Sequence, residues 1–330
     1  MTVKPSTYYD RRVQPALLDA LKPGRPMHSL IERRNLDRHT LDVQLRALPG
    51  RTPSWASLYV GLTSVLDVVV GAGERFSLRA HATHRRAGGF DPAWSKARPL
   101  AEVEAEWAAV DDYLRRAILK VDSRHIAREG VVHAALCSGS GSGYRVVDRE
   151  AVVGFDRDKE SICAEFRDRI VKALAAADAM DRWWPGPARP LGNLGTGLDI
   201  LAVDDRGRLL VIEAKPADAP AGIALAPIQV RFYAELFSRW CREHVNAREI
   251  LDGMLRQRIE LGLSGAGPSR FTALPVVVPV VAIGAGEVSP TARSRFHQIA
   301  DCLADQPTVE AGIDPLEVWR LDEHGGRIRP

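Results

Sequence analysis

The stretch GTGLDILAVDDRGRLLVIEAKP, residues Gly195–Pro216, decides how this chain is read. Two short apolar runs, Leu198–Val203 and Leu209–Ala214, flank Asp204-Asp205-Arg206-Gly207, whose Asp and Gly residues favour a tight turn. The spacing predicts an antiparallel hairpin. Residues two apart on a strand share a face, so Glu213 and Lys215 point the same way and Ala214 points away. Asp199, near the start of the first strand, lies opposite the end of the second. Two carboxylates and an ammonium therefore converge at one end of a hairpin. Its flanks, Ile200, Leu201, Leu210, Val211 and Ile212, belong in a core.

Buried charges are costly unless paired or bound to metal. Two neighbouring carboxylates can ionise together when a hard cation sits between them. Mg²⁺ suits carboxylate, carbonyl and water oxygens and leaves room for a phosphate. Lys215 beside them could orient and activate an attacking water, or stabilise developing charge. This set points to phosphodiester hydrolysis assisted by Mg²⁺ or Mn²⁺. The alternative is an edge hairpin in which Glu213 and Lys215 form a salt bridge. Glu-x-Lys alone is a weak signal, because an alternating surface strand also produces it.

Asp199, followed by Glu213-Ala214-Lys215 on the next strand, resembles the PD-(D/E)XK nuclease superfamily, the restriction-endonuclease-like proteins. The resemblance covers about residues 155–285. It implies an α/β fold with a restriction-endonuclease-like αβββαβ core, a mixed sheet flanked by helices. It also implies Asp199 and Glu213 as metal ligands, the Ala214 carbonyl as a third, and Lys215 as catalytic. Gln229-Val-Arg-Phe-Tyr233 is similar to the QxxxY motif of recombination-type exonuclease domains. Gln229 and Tyr233 are i and i+4, share a helix face, and are expected to reach DNA or water at the site. The family often draws another carboxylate from the preceding helix. Glu165, bordering the Ile162/Phe166 face, is the candidate metal ligand in preference to Glu160. Asp199 follows Leu198 rather than a proline. The first strand of the family core, expected between Met180 and Gly195, is not evident.

Around this centre the pattern is α/β. Tyr144–Phe155 reads as one or two strands and Asp158–Ala177 as a helix, with Ile162, Phe166, Ile170 and Leu174 in successive turns. Trp183–Asn193 and Pro216–Pro227 read as loops. Ile228–Cys241 reads as a helix, Val276–Ile283 as a buried strand, Thr291–Ala304 as a helix and Glu317–Leu321 as a strand. The run Ser138–Gly143, alternating Ser and Gly, marks a flexible boundary. It separates an N-terminal α+β module, residues 1–137, from a nuclease-like domain, residues 144–330. In the module, a helix is expected near Val13–Leu21. Strands are expected at Ser64–Val70, at Arg75–His84 as its hairpin partner, and at Gly130–Leu136. One helix is expected over Leu100–Leu119, with the stripe Leu100, Val103, Trp107, Val110, Leu114 and Ile118. Substrate recognition or partner binding is the expected role of this module.

Composition narrows the class. The chain has 330 residues, 45% hydrophobic and 26% charged, which excludes a disordered or fibrous protein. The longest near-apolar stretch, Ala273–Ala285, holds two prolines and is too short to span a membrane. The opening MTVKPSTYYDRR has no apolar run of signal-peptide type, and the four cysteines are widely spaced. A cytoplasmic location is expected. The net charge is only +3, so no global field marks a nucleic-acid binder. Arg79, His81, Arg85 and Arg86 read as a solvated edge, His81 and His84 as too badly placed for one metal, and Trp183-Trp184 as packing residues. Asp204-Asp205 read as turn residues and Asp156 and Asp158 as helix caps. The expected function is Mg²⁺- or Mn²⁺-dependent cleavage of nucleic acid, with DNA favoured, in defence, restriction or repair. The rival is a catalytically silent nucleic-acid-binding or protein-interaction protein. A homodimer and an activating protein partner are the assemblies considered.

Overall fold

In the computed structural model, the described residues are all except 1–6, 33–34, 37–38, 49, 51, 139–142, 156–158, 177–196, 266, 273–274, 306–311, 323–325 and 329–330. Outside them fall the Gly/Ser boundary, the Trp183–Asn193 loop with its tryptophan pair, the caps Asp156 and Asp158, and the core strand sought between Met180 and Gly195. The described chain forms two units. One comprises Met1–Tyr9, Gly141–Glu249 and Gly267–Pro330; the other comprises Asp10–Ser140 and Ile250–Ala266. Residues 7–9 thus belong with the C-terminal unit, and residues 250–265 with the N-terminal one.

The N-terminal unit holds a five-stranded antiparallel sheet in the order Asn35–Leu36, His39–Ala47, Ser54–Val60, Thr63–Val70, Phe76–Arg79. Alternation sorts its faces. Leu41, Val43 and Leu45 enter a core with Leu17, Val110 and Leu114. Gln44 and Arg46 face the other way yet are also buried. Arg258 satisfies Gln44 by donating to its Oε1 at 2.9 Å.

Three expectations are corrected in this unit. The strand from Arg75 stops at Arg79, and Ala82–Gly88 is a helix. His81 caps it by accepting the Thr83 N–H, and Gly89 closes it with φ +70°, a conformation glycine adopts freely. His84 is buried on this helix. Gly130–Leu136 is not a strand but part of the helix Glu129–Ser138. Its β-branched pair Val131-Val132 suggested a strand, but helical packing buries Val132 and leaves Val131 exposed. The stripe over Leu100–Leu119 is divided between the helices Leu100–Ala105 and Trp107–Leu119, which break at Glu106. Arg98 grips the Glu106 carboxylate at the break with two bonds of 2.7 and 2.9 Å.

The C-terminal unit is built on a mixed six-stranded sheet in the order Arg327–Ile328, Glu317–Leu321, Val277–Ile283, Leu209–Lys215, Leu198–Asp204, Tyr144–Ala151. Leu198–Asp204 runs antiparallel to both neighbours; Leu209–Lys215, Val277–Ile283 and Glu317–Leu321 are mutually parallel. All residues of the Leu209–Lys215 and Val277–Ile283 strands are buried, as expected of strands covered on both faces. The hairpin is thus central in the sheet and not at its edge. Helices Lys159–Ala176, Pro220–Glu243 and Pro290–Ala304 also belong to the unit. Only residues 216–219 of the expected Pro216–Pro227 loop are non-helical. Pro220 sits in the first turn, where its missing N–H costs nothing, and Pro227 is accommodated inside the helix.

Two polar arrangements tie this unit together. At the hairpin turn, Asp204 Oδ1 accepts the N–H groups of Arg206 and Arg208 at 3.0 and 2.8 Å, as a turn aspartate should. The Arg208 guanidinium binds Asp204, Asp314 and Glu317 at 2.7, 2.6 and 3.1 Å. Elsewhere, Thr7–Tyr8 pairs with Gly154–Phe155, and the next residue, Tyr9, donates its hydroxyl to Asp148 Oδ2 at 2.7 Å. Asp148 is fully buried, and the Tyr9 ring packs edge-on against Phe237 and Trp240.

Candidate active site

The ladder between Leu198–Asp204 and Leu209–Lys215 starts at Val203–Leu209 and ends at Ile200–Ile212. One step further, past the last pair, the same alignment continued would set Asp199 opposite Glu213. Opposite residues of an antiparallel pair project to the same face, so the two carboxylates share a side. Past the ladder's end, the Asp199 side chain replaces a strand partner: its Oδ2 accepts the Ala214 N–H at 2.8 Å. The Lys215 carbonyl accepts the Gly284 N–H on the other side of the strand. Carbonyls alternate along a strand, so that of Ala214 points to the Asp199 side.

Lys215 lies between the acids. Its Nζ is 2.6 Å from Glu213 Oε1 and 3.9 Å from Asp199 Oδ2. Glu213 is 3% and Lys215 8% exposed, while Asp199 is partly open to solvent. The charge-assisted bond to Lys215 offsets part of the desolvation of Glu213. These three residues lie at the carboxyl end of the Leu209–Lys215 strand, beside a parallel neighbour, where open α/β sheets form crevices.

The helix Pro220–Glu243 supplies one wall. Gly222, Gln229 and Tyr233 are spaced by seven and four residues and fall on one stripe. At Gly222, a methyl group would stand 3.3 Å from Lys215 Cδ, so the lysine stem runs against the first helical turn. Gln229 is half-buried. Tyr233 is buried, and its hydroxyl accepts the Gly197 N–H at 3.1 Å.

The structure thus brings together Asp199, Glu213, Ala214 and Lys215, with Tyr233 alongside. It places Glu165 elsewhere. That residue is exposed on the helix Lys159–Ala176, in a small depression lined also by Arg169, Glu235 and Arg239; Asp199 and Glu213 are not among the lining residues. Within it, Glu235 takes ion pairs from Arg231, at 2.8 Å, and from Arg169.

One acid escaped the sequence reading. Arg149 pairs with Ile200 and Ala151 with Leu198, which puts Glu150 across from Asp199 on the outer side. A register shift between Val146 and Asp148 sets this alignment, and Glu150 has φ +52°, unusual for a residue with a side chain. Glu150 therefore lies level with Asp199 on the neighbouring strand. The spacing of Arg145, Asp148, Arg149 and Glu150 does not reveal this alignment, because the register shift sets it.

No protein-family model matches this chain, and neither does any curated protein or solved structure. The described residues include no helix long and apolar enough to cross a membrane.

Proposed function

We propose that this protein is a Mg²⁺-dependent nuclease that hydrolyses phosphodiester bonds in nucleic acid, with DNA as the favoured substrate, on a restriction-endonuclease-like core. The observation that carries this reading is the convergence of Asp199, Glu213 and Lys215, with the lysine ammonium 2.6 and 3.9 Å from the two carboxylates. The sheet also supports it, since the two acids stand on adjacent central strands with a helix following the second. The described elements run strand, helix, two strands, helix, strand, so the first helix follows the first strand rather than preceding it as in αβββαβ.

The donor set fits the metal. Asp199, Glu213 and the Ala214 carbonyl offer only oxygen, which suits Mg²⁺ or Mn²⁺ and disfavours softer ions. When bound, such an ion would neutralise phosphate charge and acidify water. Asp199 and Glu213 would hold it. Lys215 provides a fixed positive charge from which an attacking water, or the charge growing on phosphorus oxygens, can accept hydrogen bonds. Glu213 holds that ammonium in place, and Ala214 fixes the Asp199 carboxylate.

The test incubates full-length protein with plasmid, linear duplex and single-stranded DNA plus Mg²⁺ or Mn²⁺, with Asp199→Asn and Lys215→Ala alongside. Metal-dependent cutting lost in both variants is the expected result. Cutting retained by both would place the activity elsewhere. A buried Glu213–Lys215 pair would also suit a catalytically silent binding protein. That reading predicts salt-dependent DNA binding by the wild type with no cleavage.

A further inference from the structure

We infer that Tyr233 is a positioning residue that sets the Asp199 carboxylate by holding the backbone at the entrance to its strand; the inference rests on the proposed metal site. Past the last ladder pair, Ile200–Ile212, no strand pairing joins residues 197–199 to the Leu209–Lys215 strand. One bond spans that gap, and a second ties residue 197 to the helix Pro220–Glu243. The first is the Asp199 carboxylate on the Ala214 N–H. The other is the Tyr233 hydroxyl, which accepts the Gly197 N–H at 3.1 Å, two residues before Asp199.

Tyr233 is a stiff anchor. Its ring is 4% exposed and meets Phe232 edge-on at 5.4 Å. Its helix packs on both the Leu209–Lys215 and Val277–Ile283 strands. The same helix stripe touches the stem of Lys215 at Gly222, about three turns away. One helix therefore contacts both the backbone before Asp199, through Gly197, and the stem of Lys215. Loss of the hydroxyl keeps the ring and removes its bond to the Gly197 N–H. Removing such outer-shell partners typically weakens metal binding about 10–100-fold.

The experiment measures Mn²⁺ binding to full-length wild type, Tyr233→Phe and Tyr113→Phe by calorimetry, with thermal melts and amide exchange of Gly197. Tyr113 is a control: its buried hydroxyl donates to the Val65 carbonyl at 2.8 Å in the other unit. The expected result is Mn²⁺ binding about tenfold or more weaker in Tyr233→Phe alone, with faster Gly197 exchange. Equal affinity in wild type and Tyr233→Phe overturns the inference and leaves the metal site standing. Equal weakening in Tyr113→Phe also overturns it, since a general loss of stability would then suffice. A wild type that binds no Mn²⁺ overturns the metal-site reading and the inference together.

Discussion

Asp199 and Ala214 are joined side chain to backbone where two central strands part: the carboxylate accepts, at 2.8 Å, the N–H that would otherwise seek a strand partner. The residue is both a candidate ligand and a piece of the ladder. An asparagine can keep the hydrogen bond but not the charge. Asp199→Asn should therefore abolish metal-dependent cleavage with stability nearly intact, whereas Asp199→Ala should lose activity and about 1 kcal/mol. Urea titrations beside the cleavage assay separate the two. If both variants are equally unstable, the bond does not support the strand.

Lys215 and Glu213 form the most deeply buried ion pair of the site, at 2.6 Å. Removing one partner strands the other charge. Lys215→Ala should lower stability by about 3–5 kcal/mol, while Lys215→Met with Glu213→Leu should recover most of that without restoring cleavage. A double variant as unstable as the single one would show that the pair contributes through packing rather than charge.

His84 gives the N-terminal unit a pH dependence of known sign. Burial lowers its pKa below the usual 6.5, with His81 and His125 adding to the effect. The unfolded chain then binds the proton more readily than the folded one. The contribution of His84 is complete above about pH 6.5 and is lost as pH falls through its unfolded and then its folded pKa. Wild type should lose more stability between pH 7 and 5 than His84→Gln does. Matching pH profiles in guanidinium melts would remove this assignment.

The Tyr9–Asp148 bond changes what a truncation should do. Residues 1–137 read from the sequence as a separable module, yet Thr7 and Tyr9 are bonded within the C-terminal unit. Cutting after residue 137 removes them and should leave an unstable remainder. Tyr9→Phe in the full chain tests the same point more gently, with an expected loss of about 1–3 kcal/mol. No change in its unfolding midpoint would restore the simple division.

The hairpin was legible because its two apolar runs, its Asp/Gly turn and the i, i+2 spacing of Glu213 and Lys215 all describe local geometry. Glu150 was not, because its place opposite Asp199 depends on pairing with a distant strand and on a bulge that spacing cannot reveal. Tyr233 falls between these cases. The i, i+4 rule put it on one face with Gln229, but only the packed helix shows its hydroxyl on Gly197. The helix at Glu129–Ser138 misled because Val131 and Val132 favour strands locally, while burial on one helical face decided otherwise.

The order in which the site assembles follows from its connectivity. The strands bearing Asp199 and Glu213 meet across a short turn, a closure expected in about 1–10 μs for a hairpin. The parallel neighbour Val277–Ile283 arrives only after a long intervening stretch has been organised, which slows its pairing. The two acids are therefore brought together early, while the chain is still largely open. Lys215 travels with them on the same strand, two residues from Glu213, so the opposing charge accompanies the repulsion from the start of folding.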